Sequence, residues 1–307
     1  MGKETDFVSI ITCTYKRVQF FENLKRMVAY QDYPHDKLEW VIIDDSPESS
    51  ASLFPENLDG IKVRYLFLKQ KVPLGKKRDL INNAAKGKYL VNMDDDDFYP
   101  PCRVSHAVES LIKSGHPLAG SSKMFMYFCK DRSIYQLGPY RDNHGTAATL
   151  AYTKAYASEH FYFDPANGNY AEEGVFTEGW KHPMVQLDPM KTVLALSHTD
   201  NTIEKTMFLD EKMGHVGRTV NKTDMQVSNF INKELHPEIY QFYVTLPYEH
   251  KLNDLSKEVV KKMEGNVAQA QQTYNQDMAK RMAMDIQTFT MWRNKQIAFG
   301  LGDLRSP

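Results

Sequence analysis

Several features that define other protein classes are missing from this sequence. Its 307 residues contain only three cysteines, and none of them forms a CxxC pair. Because disulfide frameworks and structural zinc sites use paired cysteines, we expect neither here, and we expect a reducing, cytoplasmic location. No apolar run approaches the ~18 residues that span a bilayer. The polar start, Met1 to Asp6, predicts no secretory signal.

A strong charge of one sign is also lacking. The chain has 38 basic and 39 acidic residues, a net charge of −1, so nothing points to nucleic acid or an anionic membrane as a partner. No GxGxxG follows the first strand and no GxxxxGK[ST] occurs anywhere, which disfavours dinucleotide dehydrogenases and P-loop nucleotidases. The length suits one large domain or two smaller ones.

The first hundred residues alternate between two hydrophobic patterns. Short β-branched and aliphatic runs predict strands, and apolar groups three or four apart predict helices. The predicted strands are 7–13, 38–43, 61–67 and 89–93, and the predicted helices are 20–30 and 75–85. This order predicts an α/β fold with a mostly parallel sheet and helices on both faces. In such sheets ligands bind at the carboxyl ends of the strands.

The most informative feature is the run of four aspartates from Asp94 to Asp97. It follows the last of these strands and precedes Pro100 and Pro101, which end any strand. Adjacent carboxylates repel one another, and the usual cation for an oxygen-only cluster is Mg²⁺ or Mn²⁺. The alternative is a solvated acidic turn. An acidic, metal-assisted nucleotide site without a glycine cradle fits a sugar nucleotide.

Four segments together resemble family 2 glycosyltransferases of the GT-A fold. They are 8–17, 40–46, 75–79 and 93–97, in the family's order, and the resemblance extends over residues 7 to 205. Two stretches, 93–107 and 197–202, also resemble glycosyltransferases of large algal DNA viruses, which would place the protein in the host cytoplasm. The resemblance implies a Rossmann-like GT-A domain, followed here by a helical C-terminal extension.

The resemblance also implies which residues hold the nucleotide sugar. The matching positions are Thr12, Thr14, Tyr15, Arg17, Asp44, Asp45, Arg78, Asp94 and Asp95. The family has Asp-Asp-Gly-Ser where this chain has Asp44-Asp45-Ser46-Pro47, so the turn differs although both carboxylates are kept. The alternative is a helix cap or turn for the two aspartates, and a solvated helix face for Arg78.

The family's metal motif, Asp-x-Asp, aligns with Asp94 to Asp96. Asp96 is then the direct ligand of Mn²⁺ or Mg²⁺, with Asp94 as a second candidate, while Asp97 caps the following turn. Alternate residues at a strand end point to opposite sides, so all four carboxylates cannot reach one ion. His198 follows the predicted strand 193–197, where some GT-A enzymes carry a histidine ligand. A structural histidine is the alternative.

The pair Glu172 and Glu173 resembles the family's Glu-Asp pair, whose second acid deprotonates the acceptor. We therefore expect Glu173 to be the catalytic base, with Glu172 as the fallback. The alternative is that two acids merely stabilise the first turn of a helix. Strands are predicted at 134–139 and 146–152, on either side of the acceptor loop 140–145. The aromatic residues 161–163 either stack on sugar rings or pack in the core.

The resemblance thus implies a metal-dependent, inverting hexosyltransferase. It would move one sugar from a nucleoside-diphosphate sugar, with UDP as the default, to a hydroxyl of a glycan or glycoconjugate. A nucleotidyltransferase and an inactive sugar-nucleotide-binding module are the alternatives. We predict a catalytic domain at 1–210, with donor binding in 1–100 and acceptor binding in 101–210. The amphipathic region 211–307 would form helices that dimerise, pack on the catalytic domain or touch a membrane.

Overall fold

The computed structural model describes residues 5–165, 172–209 and 219–249, and scattered helical residues between 257 and 278. Most of the predicted C-terminal extension, and with it the predicted dimer contact, lies outside the described residues. Within the described residues, no helix combines the length and the apolar character needed to cross a membrane.

The described chain forms twelve strands and six α-helices. The strands are β1 Val8–Thr14, β2 Leu38–Asp44, β3 Asn57–Leu58, β4 Ile61–Phe67, β5 Tyr89–Asn92, β6 Leu118–Gly120, β7 Met124–Phe128, β8 Ser133–Leu137, β9 Ala151–Thr153, β10 Met184–Gln186, β11 Leu194–Ser197 and β12 Val220–Lys222. The helices are α1 Phe21–Ala29, α2 Leu74–Ala84, α3 Arg103–Ser114, α4 Lys154–Glu159, α5 Glu172–Phe176 and α6 Pro237–Thr245.

Eight strands build the main sheet, in the order β10-β6-β9-β5-β1-β2-β4-β3. The central pairs β5–β1, β1–β2 and β2–β4 are parallel, which confirms the predicted α/β class. All seven residues of β2 are buried, as expected for a strand covered on both faces. In the register of the central strands, Thr14 lies opposite Asp44 and Ile11 opposite Asn92, so these strands end at one edge.

Helices cover both faces of this sheet. One core cluster joins α1, α3 and α6 to the sheet around Trp40, and the other joins α2, α4 and α5 around Tyr152. Tyr162 belongs to the second core, where its ring stacks on Phe176 at 3.9 Å between centroids. Among the predicted aromatics, this one therefore packs in the core, whereas Phe161 is exposed.

A second, smaller sheet has the order β11-β7-β8-β12. It is tied to the main sheet through Phe98, which exchanges two backbone hydrogen bonds with Leu194 at 3.0 and 2.9 Å. This bridge brings the end of β11 to the loop after β5. The predicted strand 146–152 was wrong in its first half, because residues Ala147–Thr149 form a 3₁₀ turn before β9.

Candidate functional site

A cavity of about 360 Å³ opens where the central strands end. Nine of the predicted site residues line it. They are Thr14, Tyr15, Arg17, Arg78, Asp94, Asp95, Asp96, Glu172 and Glu173. The volume lies within the ~300–1,000 Å³ typical of small-molecule sites. The loops after β1 and β5, the first turns of α2 and α5, and the segment after β11 converge on this space.

Asp96 and His198 meet beside the cavity. Asp96 Oδ2 lies 2.9 Å from His198 Nε2, and the backbone N–H of Asp200 donates to His198 Nδ1 at 3.2 Å. Because Nδ1 accepts, a neutral His198 ring carries its proton on Nε2 and donates it to Asp96. Burial alone would raise the pKa of Asp96, but the hydrogen bond from His198 and the cations Lys205 and Arg17 hold it below its ordinary value.

The neighbouring aspartates behave differently. Burial, together with the charge of Asp96, raises the pKa of Asp95 well above its ordinary value, although Arg17 acts against this shift. Burial also raises the pKa of Asp97 to about 7, against the effect of Lys205. Asp97 Oδ1 accepts the backbone N–H of Leu196 at 2.8 Å, so this side chain joins the aspartate loop to β11. The four carboxyl groups are therefore not equivalent.

Arg78 holds two of the carboxylates together. Its Nε donates to Glu172 Oε1 at 3.0 Å and its Nη2 donates to Asp94 Oδ1 at 3.3 Å. The approach of α2 depends on Gly75, since a Cβ atom there would lie 2.6 Å from the backbone oxygen of Tyr162. The small residue lets the first turn of α2 press against this loop and present Arg78 to the cavity.

Glu173 shares with Asp97 a pKa that suits proton transfer at neutral pH. Burial raises its pKa to about 7, and the charge of Glu172 adds to the shift. Glu172 itself is engaged by Arg78. Both glutamates line the cavity. Among the described residues, Glu172 forms an ion pair and Glu173 forms none.

Three predicted nucleotide-binding residues do not line the cavity. Asp44 accepts from the Ser46 backbone N–H at 2.8 Å and from the Tyr65 hydroxyl at 2.5 Å. Asp45 pairs with Lys77 and accepts the Val72 backbone N–H at 2.9 Å.

Thr12, the third of these residues, donates to the Met93 carbonyl at 2.7 Å and accepts from Trp40 at 3.0 Å. Each of these three groups has partners within the protein, and its assignment to nucleotide binding stays a prediction.

One wall of the cavity is hard to foresee from the sequence. This wall carries apolar and polar groups from β7, β8 and the segment after β11. Its residues include Met124, Met126, Leu137, Tyr140, Asn201, Thr202, Lys205 and Phe208. The alternation of Met124 and Met126 with Phe125 and Tyr127 is a strand signal, and it could have placed both methionines on one face. Lys205 follows the aspartates by more than a hundred residues and no local pattern marks it.

The charged groups of the cavity bear on whether a divalent cation can bind there. Six carboxyl groups and four cationic side chains line the cavity, an excess of acid that a bound cation would offset. Within the described residues, these groups do not bring three Asp, Glu, His or Cys ligand atoms within 4.8 Å of one another. Such an open set suits Mg²⁺-like ions, which use one or two carboxylates together with substrate phosphates. Of the three predicted metal ligands, Asp94 and Asp96 line the cavity, and His198 contacts Asp96 beside it.

Comparisons with known proteins agree with this architecture. Residues 9–158 match the model of glycosyl transferase family 2, just under half of the chain. The structure of Staphylococcus aureus TarS 1–349 in complex with UDP-GlcNAc is similar with a TM-score of 0.50 and 17% identity, over 64% of this chain and 60% of that one.

A mannosyltransferase from Pyrobaculum calidifontis, in complex with GDP-Man and Mn²⁺, has a TM-score of 0.49 and 14% identity, over 69% of this chain and 62% of its own. This chain thus spans less than two thirds of the length of either neighbour. No curated protein matched the sequence. Residues 9–158 therefore match the glycosyl transferase family 2 model, and the chain has a mixed α/β, GT-A-like fold.

Proposed function

We propose that this protein is a metal-dependent, inverting hexosyltransferase. It transfers one sugar from a nucleoside-diphosphate sugar to a hydroxyl of a glycan or glycoconjugate. The observation that carries the proposal is a single cavity that holds both the aspartate cluster and Glu173, whose pKa is raised to about 7. The family match over residues 9–158 supports the same class of reaction.

The donor would lie along the ends of β1 and β5. Tyr15 lines the cavity and its ring would stack on the base, while Lys71 Nζ lies over the same ring at 4.1 Å from its centre. Arg17 and Lys205 would face the diphosphate. Asp96, with Asp94 and His198, would hold Mn²⁺ or Mg²⁺, which when bound offsets charge on the leaving diphosphate. UDP-linked donors are the first to test, because TarS, which has a similar fold, was crystallised in complex with UDP-GlcNAc.

The acceptor would lie against the wall formed by the second half of the domain. Its hydroxyl oxygen attacks the anomeric carbon and its proton passes to Glu173. The new carbon–oxygen bond forms as the bond to the diphosphate oxygen breaks, and the nucleoside diphosphate leaves with that electron pair. Since no enzyme nucleophile intervenes, the configuration inverts. Glu173 is preferred to Glu172 because Arg78 already binds the Glu172 carboxylate at 3.0 Å.

A donor panel tests the proposal. The full chain is mixed with UDP-, GDP- and dTDP-sugars with and without Mn²⁺, and its melting temperature is measured. The best donor is then incubated with glycan acceptors, and the released products are identified. We expect a metal-dependent rise in melting temperature and release of free nucleoside diphosphate. Release of pyrophosphate would indicate a nucleotidyltransferase instead. Donor binding with no release under any condition would indicate an inactive sugar-nucleotide-binding module.

A further inference from the structure

Away from the cavity lining, the described residues contain one group of three side chains with metal-ligating atoms close together. His160, Glu178 and His182 each offer one such atom, and these atoms lie within 4.8 Å of one another. His182 Nε2 is 3.4 Å from Glu178 Oε2, and His160 Nε2 is 3.9 Å from Glu178 Oε1. None of these residues lines the cavity described above.

The backbone brings these groups together through an unusual turn. His160 follows α4, while Glu178 and His182 follow α5. Glu178, Gly179 and Trp180 all have positive φ angles, of 49°, 72° and 67°. Two of the three are not glycine, and this conformation is strained for such residues. The turn reverses the chain after α5 and returns His182 towards Glu178.

The His160 ring is oriented as a metal ligand usually is. His160 Nδ1 lies 3.0 Å from the backbone oxygen of Tyr156, so this nitrogen carries the proton and Nε2 keeps its lone pair. The same ring stacks on the Tyr156 ring at 3.9 Å with a 4° angle between planes. In metal sites, the ring nitrogen that does not bind the metal commonly donates its N–H to a backbone carbonyl, which fixes the orientation of the imidazole.

His182 supplies a second, independent observation. Its Nε2 is buried and makes no hydrogen bond within the described part of the chain. A buried polar atom without a partner is destabilising and calls for an explanation, such as an ion. Glu178 Oε2 lies 3.4 Å from this nitrogen, which is longer than a charge-assisted hydrogen bond. It does match the separation of about 3.3 Å between ligand atoms on a tetrahedral zinc ion.

We propose that His160, Glu178 and His182 bind a Zn²⁺ ion. Two imidazoles and one carboxylate suit Zn²⁺, whereas Mg²⁺ and Mn²⁺ prefer oxygen ligands. Three protein ligands leave the fourth tetrahedral position to water. The Glu178 side chain is half exposed, so its rotation can close the 3.9 Å gap to His160. The sequence predicted no structural zinc site because that expectation rested on cysteine pairs, whereas these ligands converge only in the fold.

The ion would clamp the turn after α5 to the end of α4. α5 carries Glu172 and Glu173, and Thr177 links it to Glu178 while donating its hydroxyl to the Glu173 carbonyl at 2.7 Å. A clamp at Glu178 and His160 therefore restrains the helix that presents these two carboxyl groups. This zinc site does not depend on the proposed sugar transfer and can be tested without it.

The test measures zinc binding by the full-length protein. Protein stripped with a chelator is titrated with Zn²⁺ in competition with a chromophoric indicator. We expect one tight equivalent in the wild type, and at least a tenfold weaker affinity in both His182→Gln and His160→Gln. His116→Gln, which changes a histidine after α3, is the matched control and should bind as the wild type does. Asp96→Asn should also keep this equivalent, which separates the site from the aspartates.

Thermal unfolding provides the second readout. Zn²⁺ should raise the melting temperature of the wild type and of His116→Gln, but not that of His182→Gln. Should His182→Gln fail to fold, as judged by circular dichroism, Glu178→Gln takes its place, because the Glu178 side chain is half exposed. Absence of a tight equivalent in the wild type would overturn the proposal, and so would unchanged zinc affinity in the folded His182→Gln or Glu178→Gln variant.

Discussion

The two ends of the central parallel strands carry buried carboxylates of different kinds. At the starting end, Glu39 of β2 accepts from the Ser9 hydroxyl at 2.6 Å, the Lys86 backbone N–H at 2.5 Å and Arg64 at 3.1 Å. At the finishing end, six carboxyl groups face the cavity with four cationic side chains. At the starting end, protein donors surround the buried carboxylate. At the finishing end, the carboxyl groups outnumber the cationic side chains.

This difference indicates which end binds a ligand. A buried carboxylate with a full set of donors is a structural element and needs no further partner. At the finishing end, burial and then the charges of neighbouring carboxylates raise the pKa values of Asp95, Asp97 and Glu173, so these groups hold protons more readily than free carboxyl groups do. Such perturbed groups in a cleft are characteristic of functional sites. Changes at the finishing end should therefore alter activity, and changes at the starting end should alter stability.

The largest effect is expected from Asp96→Asn. Asparagine keeps the shape of the side chain but removes the charge proposed to bind the metal, which is worth several kcal/mol, so transfer should fall by about 10³-fold or more. Release of nucleoside diphosphate at saturating Mn²⁺ is the measurement. Asp36→Asn, at an exposed position before β2, is the control and should leave the rate unchanged. Wild-type turnover in Asp96→Asn would remove Asp96 from the metal site.

Glu173→Gln should give the next largest effect. Loss of the base should lower transfer by ~100-fold or more. The wild-type base acts only when ionised, and its pKa is about 7, so kcat/KM should fall as the pH drops below 7 and level off above it. The residual rate of Glu173→Gln should lack this dependence.

Glu172→Gln provides the comparison for the base. This variant loses the ion pair with Arg78 and also the charge that helps raise the pKa of Glu173, so the pH profile should keep its shape while its midpoint moves to lower pH. A normal profile in Glu173→Gln, together with a lost one in Glu172→Gln, would assign the base to Glu172 instead.

The same contrast explains what the sequence could reveal. The βα alternation predicted the parallel core because burial on both faces leaves a continuous apolar run, as in β2. The aspartate run marked the cavity because four acids at a strand end are rare without a function. Asp44 and Asp45 have the same local pattern, yet Tyr65 and Lys77 engage them. Such contacts depend on residues about 20 to 30 positions away in the chain, and no short pattern reports them.

At the starting end, Glu39→Ala should reduce stability and spare activity. Removing one partner of a buried ionic network leaves the others unpaired, which typically destabilises by about 3 kcal/mol. Chemical denaturation should give this loss in the free energy of unfolding, while the folded variant keeps the wild-type KM for the donor. Glu48→Ala, at an exposed site after β2, is the control. A fall in transfer without a fall in stability would mean that the two ends are coupled.

Ser9→Ala should have the smallest effect and is the finest test of the comparison. The Ser9 hydroxyl donates to Glu39 and accepts the Gly87 backbone N–H at 2.8 Å, so it joins β2 to the start of β5. Its loss should destabilise by about 1–2 kcal/mol. Because Ser9 acts largely through Glu39, the double variant with Glu39→Ala should lose less stability than the two single losses combined. Strict additivity would mean that the starting end is a set of independent contacts and not the self-satisfied network that distinguishes it from the cavity.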